Sequence, residues 1–399
     1  MSSHSTPTGA PPRWVAPAVY DRMVALRRSL HQHPELSFHE HETMLRISRE
    51  LAALGLPHRT GVGGTGIVAD LPGRAEGPRV ALRADIDALP VQEETGLPFA
   101  SRVPGVMHAC GHDGHASSLV GAAALLLADP PPHPVRLIWQ PGEEQGNGAL
   151  RMIEAGVLED VAMIFGGHLD RGYPPGTLVV TDGPVNASTD TFVVEVMGRQ
   201  GHGARPHETI DAIVVASLVV TALQTVVSRH VDPAQAAVVT VGRFDAGSAP
   251  NVIAGKATLE GTIRSQHPDV RRRLKESVEQ VARAVGTLHG AAVSFTMLDG
   301  TPPLVNPPGP TAIAREAAQQ VASVERMRTV NMGGEDFAWY LTQIPGCYIR
   351  FGGRTPGDNA PAHSGRFDFH ETALAVAAAW YDRVARLAAE RLAGGAWIP

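Results

Sequence analysis

The stretch 107–115, Met-His-Ala-Cys-Gly-His-Asp-Gly-His, sets three histidines, one cysteine and one aspartate within nine residues of a chain that has only two cysteines. Thiolate, imidazole and carboxylate are ligands for Zn²⁺ and similar borderline-soft ions. Other ionisable groups follow short apolar runs elsewhere. Asp85 and Asp87 come after 79–82, Glu143-Glu144 after 135–139, His168 after 161–165 and His363 after 347–351. Cys110, His112, Glu144, His168 and His363 make five candidate ligands, more than one tetrahedral ion takes. Two ions sharing a bridging ligand fit better, and a thiolate can bridge. Paired ions can hold a hydroxide and a substrate carbonyl oxygen together. The adjacent carboxylates Glu143 and Glu144 are expected to point in different directions, so Glu143 is free to act as general base toward water and then as general acid toward a leaving amine.

Each residue alone has a plainer reading. A buried thiol packs as a small hydrophobe, and a Glu-Glu pair is commonly a solvated surface. The set argues more strongly than its members. Cys110 as a thiol nucleophile with a histidine partner is the competing chemistry, but it leaves Glu143-Glu144 and His168 without a task. The chain has no HExxH, Gly-x-Ser-x-Gly or P-loop pattern. The glycines within 61–66 read as a turn before a strand, because a dinucleotide loop needs the order strand, glycines, helix.

These groups need a scaffold that carries strand ends to one place. Helical patterns run over 18–30, 40–54, 116–128 and 148–155, and strands over 66–70, 79–82, 135–139 and 161–165. Such alternation predicts an α/β/α layer with a mostly parallel sheet, whose ligands gather at the carboxyl ends of the strands. The pattern then changes to strand 191–197, helix 211–228, strands 237–244 and 256–265, helix 269–288 and strand 292–298. That order, βαββαβ, is the ferredoxin-like unit. A helix over 312–324, a strand over 347–351 and a helix over 372–392 resume the first pattern. The expected domains are therefore 1–185 with 299–399, interrupted by 186–298.

A chain of 399 residues suits two domains, and 43% hydrophobic with 19% charged residues is a globular composition. The formal charge of −6 and the lack of a basic-aromatic patch speak against a nucleic-acid partner. The run Arg271–Arg273 opens a helical pattern and reads as a solvated helix face. Two cysteines are too few for a disulfide framework. The Ser- and Pro-rich opening up to about Pro17 predicts a mobile tail rather than a secretory signal. No apolar run is expected to reach membrane-spanning length. A soluble protein of a reducing compartment, the cytoplasm, is expected.

The segments 28–38 (RSLHQHPELSF), 82–90 (LRADIDALP), 108–115 (HACGHDGH), 140–144 (QPGEE), 201–204 (GHGA), 249–253 (APNVI), 261–264 (GTIR), 334–337 (GEDF) and 363–364 (HS) together resemble the M20 metallopeptidase family. The likeness is to its amidohydrolase branch of aminoacylases, hippurate hydrolases and indole-acetyl-amino-acid hydrolases. The resemblance implies a homodimer, or a tetramer, with a lid and dimerisation domain and two divalent ions per subunit. Zn²⁺ is favoured by cysteine and histidine, with Mn²⁺, Co²⁺ or Ni²⁺ open. It implies Cys110 as bridging ligand, His112, Glu144, His168 and His363 completing both spheres, and Glu143 as base. Asp85 aligns with an aspartate that supports the site. Arg83 stands where other branches carry a metal-binding histidine, which fits His112 taking over. His202 resembles a donor to the substrate carbonyl. Asn251 and Arg264 resemble residues that hold the substrate carboxylate, the plain alternative for Arg264 being a salt bridge on a sheet. The implied substrates are N-acyl amino acids. A carboxypeptidase or dipeptidase acting on short peptides, and a non-catalytic relative that binds a small amide, are the alternatives. Two departures bear on acyl specificity: the loop 169–175 lacks the branch's usual sequence, and Gly365 replaces a proline.

Overall fold

The computed structural model describes residues 14–329, 331–355, 357 and 360–394. Nearly all of the tail expected to be mobile therefore lies outside the described residues. The chain divides into two compact units, one running to Gly183 with Asn306–Arg328 and the chain from Trp339, the other Pro184–Val305 with Thr329–Ala338.

The first unit opens with α1 (Pro17–Gln32), α2 (His41–Ala53), β1 (His58–Val62), β2 (Gly66–Leu71), β3 (Arg79–Asp85), α3 (His112–Ala128), β4 (Val135–Gln140), α4 (Gly148–Glu154), β5 (Val161–Asp170) and β6 (Thr177–Val179). In α1, Met23, Leu26 and Leu30 recur at helical spacing and are buried. The second unit contains β7 (Gly183–Asn186), β8 (Asp190–Met197), β9 (Gly201–His202), α5 (Ala212–His230), β10 (Ala237–Ala246), β11 (Val252–Ile253), β12 (Lys256–Ser265), α6 (Pro268–Leu288), β13 (Ala292–Leu298) and β14 (Leu304–Asn306). The chain then returns through α7 (Pro308–Val321), β15 (Ser323–Glu325), α8 (Ala338–Leu341), β16 (Gly346–Gly352) and α9 (Thr372–Ala393).

The first unit is built on an eight-stranded sheet in the order β1-β2-β4-β3-β5-β16-β6-β15. Its centre, β4-β3-β5-β16, is parallel throughout, so the carboxyl ends of four neighbouring strands emerge along one edge. β4 and β16 are buried at every residue, the mark of strands covered on both faces. α3 is buried around most of its circumference and packs against α1 and α9. The mixed α/β architecture with a mostly parallel sheet is thus the one expected from the alternating pattern.

In the second unit β10, β12, β8 and β13 form an antiparallel sheet in that order. Along β12 alternate residues are buried, because one face meets the helices. Val215, Val219, Leu223 and Val226 of α5 and Leu274 and Val278 of α6 close over Phe192, Val194, Leu259 and Ile263.

Several boundaries moved. α3 begins four residues before the expected start at 116, directly at His112. β5 continues past 165 to Asp170 because β16 pairs with it as far as Gly352, so His168 sits in a strand rather than after one. α7 starts at Pro308, since proline is at home in the first turn of a helix. The expectation that no apolar run reaches membrane-spanning length is also corrected. α5, with 19 residues and mean hydropathy 1.8, meets that length and composition. Its far face is apolar too, with Ile213, Val214 and Leu218 exposed.

Candidate metal centre

The parallel strands deliver the site. β3 ends at Asp85 and leads to Asp87, β4 ends at Gln140 and leads to the turn Glu143–Gln145, and β5 carries His168. Cys110 immediately precedes Gly111, which takes φ 93° as the N-cap of α3, and His112 opens that helix. The backbone N–H of His363 donates to the Ala109 carbonyl at 2.8 Å, and this bond ties the His363 loop beside Cys110. His363 itself holds φ 65°, an uncommon conformation for a side-chain-bearing residue.

The five candidate ligands converge. Cys110 Sγ lies 3.2 Å from His168 Nε2, His112 Nε2 lies 3.8 Å from Glu144 Oε1, and His363 Nε2 lies 3.4 Å from the same oxygen. Glu143 Oε2 is 4.0 Å from His112 Nε2. Ligand atoms fall into overlapping sets, Cys110–His112–His168, Cys110–Glu144–His363 and His112–Glu143–Glu144, each within 4.8 Å. Cys110 belongs to two of these sets, as a bridging thiolate must.

Whether the donors suit cations is tested by what their other atoms do. His112 donates Nδ1–H to Asp87 Oδ1 at 3.1 Å, and His168 donates Nδ1–H to the Leu169 carbonyl at 2.7 Å. In their neutral form both imidazoles therefore present the Nε2 lone pair to the cluster, the arrangement found behind metal-bound histidines. His112 Nε2 and Glu144 Oε1 are buried with no hydrogen-bond partner, a costly state that a divalent ion relieves. The residues fit a pair of such ions.

His115 is also near, but it is already committed. Its Nε2 accepts the Leu169 N–H at 2.8 Å, so Nδ1 carries the proton and donates to Asp85 Oδ1 at 2.5 Å. Asp85 takes a second bond from Arg83 at 2.6 Å, and His112 Nδ1 is 3.8 Å away. Asp85 therefore acts on His115, and the carboxylate bonded to His112 is Asp87. Asp87 Oδ2 also accepts the Glu144 N–H at 3.0 Å and the Ser37 hydroxyl at 2.7 Å. Sequence reasoning saw Asp87 and His115 among the ionisable groups but gave neither a role. Their signal was their place inside the segments 82–90 and 108–115. Arg83 also donates to the Gln140 side-chain oxygen at 2.8 Å.

Electrostatics follow from burial. Burial pushes the Cys110 thiol up to about 12, with the Glu144 charge adding to it. A catalytic thiol needs the opposite shift, so the cysteine-nucleophile reading loses support. Burial alone would lower His112, yet Asp85 and the hydrogen bond to Asp87 hold it well above its ordinary value. Burial and then His115 push His168 well down. The Glu144 carboxylate, 3.4 Å from its Nε2, raises His363. Burial works against the charge of Asp85, but His112, His115 and Arg83 outweigh it and hold the carboxyl well below the carboxylate range.

The three remaining predicted residues lie in the second unit. His202 on β9 pairs with Val252 on β11 and is exposed, and its Nδ1 accepts the Ala204 N–H at 3.0 Å. The Asn251 carbonyl accepts the Gly203 N–H at 2.9 Å, which makes His202 and Asn251 neighbours. Arg264 on β12 is half-buried and donates to the Met332 carbonyl at 3.1 Å. It is not engaged in a salt bridge among the described residues. Both departures sit in close packing. Leu169 is buried, its side chain set against Gly111, Gly114 and Gly353. At Gly365 an added Cβ would stand 2.3 Å from the Gln92 carbonyl oxygen.

Residues 81–387 match the sequence profile of peptidase family M20/M25/M40. The chain belongs to this family. The N-acetyl-L-cysteine deacetylase of Bacillus subtilis is 41% identical over 369 residues, spanning 92% of this chain and 88% of that protein. Thermostable carboxypeptidase 1 of Saccharolobus solfataricus is 37% identical over 368 residues, spanning 90% and 93%. Among solved structures, the Bacillus subtilis YXEP protein, a dinuclear metal binding peptidase from the M20 family, superposes with a TM-score of 0.85 at 37% identity, covering 94% of this chain and 99% of that one.

Proposed function

We propose that the protein is a two-metal amidohydrolase that splits N-acyl amino acids, or similar small amides, into a carboxylate and a free amino acid. The observation that carries this reading is the convergence of Cys110, His112, Glu144, His168 and His363, with two orphaned buried donor atoms facing inward and Glu143 beside them. The similarity to a deacetylase of N-acetyl-L-cysteine favours an N-acyl substrate.

When bound, the ions supply Lewis-acid polarisation of the amide carbonyl and a lowered pKa for the attacking water. Cys110, His112, Glu144, His168 and His363 would hold the two ions. Zn²⁺ or Mn²⁺ suits this donor set, and Co²⁺ or Ni²⁺ can replace them. Glu143 takes a proton from water as its oxygen attacks the amide carbon, then gives a proton to the nitrogen as the C–N bond breaks. The second unit takes the part of lid and dimerisation domain. His202 donates to the developing oxyanion, and Asn251 with Arg264 holds the substrate carboxylate, a task suited to the planar guanidinium fork. Closure of the lid excludes water before chemistry. The working assembly in this reading is a homodimer.

Glu143→Gln tests the base. It should lower kcat by at least about 100-fold, the scale of general-base catalysis, while leaving the metal content at the wild-type level. Metal-reconstituted protein is incubated with acetyl, benzoyl, indole-acetyl and long-chain N-acyl amino acids, with short peptides alongside, and free amine is measured. Undiminished turnover by the variant removes Glu143 from this role. Hydrolysis of peptides alone replaces the substrate assignment with a carboxypeptidase or dipeptidase, an activity related to the thermostable carboxypeptidase it resembles.

A further inference from the structure

The segment between α1 and α2 lies beneath the turn that carries both glutamates. Ser37 bonds Asp87, and the Ala88 N–H donates to the Glu35 carbonyl at 2.8 Å. Phe38, at φ 65°, lays its ring against Gly142, where an added Cβ would stand 2.3 Å from Phe38 Cζ. The Arg151 guanidinium carbon lies 3.6 Å from the centre of the Phe38 ring. Gly142 itself has φ 65° and is the N-cap of the turn Glu143–Gln145. A residue with a side chain would meet both a strained backbone and the ring.

Glu40 completes this support. It is fully buried, at 0% exposure, and makes no ion pair among the described residues. Its Oε1 accepts the Gly142 N–H at 2.9 Å, and its Oε2 accepts the Thr65 hydroxyl. Burial pushes this carboxyl above its ordinary value, and the nearby Asp87 charge pushes the same way, against the hydrogen bond from Thr65. A buried acid with no counter-charge is expensive, and one of its two bonds holds the Gly142 amide, one residue before Glu143.

We propose that Glu40 is a positioning residue whose carboxylate pins the Gly142 amide and thereby aims Glu143 and Glu144 together. The inference rests on the assignment of those two glutamates as base and ligand. The two side chains leave the same short turn, so a drift of that turn moves both. A displacement of about 1 Å at a reacting group costs on the order of 100-fold in rate. Loss of a residue behind a metal ligand costs about 10- to 100-fold in metal affinity.

Three substitutions separate reach from charge. Glu40→Gln keeps an acceptor for the Gly142 N–H, and its amide can donate to the Thr65 oxygen. Glu40→Asp keeps the charge but is one methylene too short. Glu40→Ala removes the acceptor. Zn²⁺ affinity is measured by competition with a chelator on the full chain, and kcat and KM on the N-acyl amino acid that the wild type cleaves best. The expected result is a drop of about 10- to 100-fold in both affinity and kcat for Asp and Ala. KM should change little, and Gln should restore both to within about threefold, the rescue expected when the acceptor is kept. Wild-type Zn²⁺ affinity in the Asp variant, or a Gln variant as impaired as Asp, overturns the proposal. If Ala does not fold, the Gln and Asp pair still decides. If the wild type cleaves no N-acyl amino acid, the substrate assignment fails while the Zn²⁺ affinities still judge Glu40.

Discussion

Asp87→Asn is the sharpest perturbation of the centre. The carboxylate is 1% exposed and accepts three hydrogen bonds, from Ser37 at 2.7 Å, the Glu144 N–H at 3.0 Å and His112 Nδ1 at 3.1 Å. Asparagine offers one carbonyl oxygen and one NH₂ group. With the oxygen toward His112, the NH₂ opposes the Glu144 N–H, donor against donor. With the amide flipped, the NH₂ faces His112 Nδ1 and favours the tautomer with its proton on Nε2, where the cation needs a lone pair. Both orientations harm a ligand. A hydrogen bond to a charged group contributes about 1.5–3 kcal/mol. Loss of a partner behind a metal-bound histidine lowers affinity about 10- to 100-fold, which is about 1.4–2.7 kcal/mol. We therefore expect Zn²⁺ affinity to fall by about that factor in a chelator competition at fixed pH, with the far-ultraviolet circular dichroism unchanged. An affinity within about twofold of wild type, less than the smallest loss such a contact predicts, would show that Asp87 does not set the His112 tautomer.

Two further outcomes follow from burial and charge. Arg27 is buried and bonded to Asp113 at 3.0 Å, with Asp368 at 2.6 Å and Glu371 at 3.3 Å, while His31 Nδ1 reaches Asp113 at 2.8 Å. Asp113→Asn leaves buried cations undercompensated and should cost about 3–5 kcal/mol in urea denaturation; a loss below about 1 kcal/mol, the scale of an exposed pair, would refute the coupling. Burial opposes the Asp113 charge, but Arg27 and His31 depress the carboxyl well below 3.8. Its contribution is thus present above the unfolded pKa and is lost as pH falls through the folded value. Burial holds the Cys110 thiol up at about 12, so at pH 7 an incoming cation must displace its proton. Titrating Zn²⁺ calorimetrically in buffers of different ionisation enthalpy should show release of at least one proton per chain, and affinity should rise with pH. Release of none would mean that the thiol is not a ligand.

Much of this molecule is legible in its sequence. The alternation of apolar runs and helical patterns fixed the α/β class and the βαββαβ order, because side-chain periodicity records which faces meet a core. The ligand types at 110, 112, 144, 168 and 363 were visible too, since the chemistry of thiol, imidazole and carboxylate is local to each residue. The tertiary structure alone decided how they are used. His112 and His115 stand three residues apart with the same side chain. One presents a free Nε2 because Asp87 takes its Nδ1 proton, and the other is closed off between Asp85 and the Leu169 amide. His168 became a strand residue only because β16 pairs with β5 beyond the apolar run. The segment Thr329–Ala338 packs with a unit whose main part ends at Val305. Glu40 acquires its partner Gly142 across 102 positions of chain. A hydrogen bond is set by the atom that arrives opposite, and that arrival depends on the packing of elements far apart in sequence.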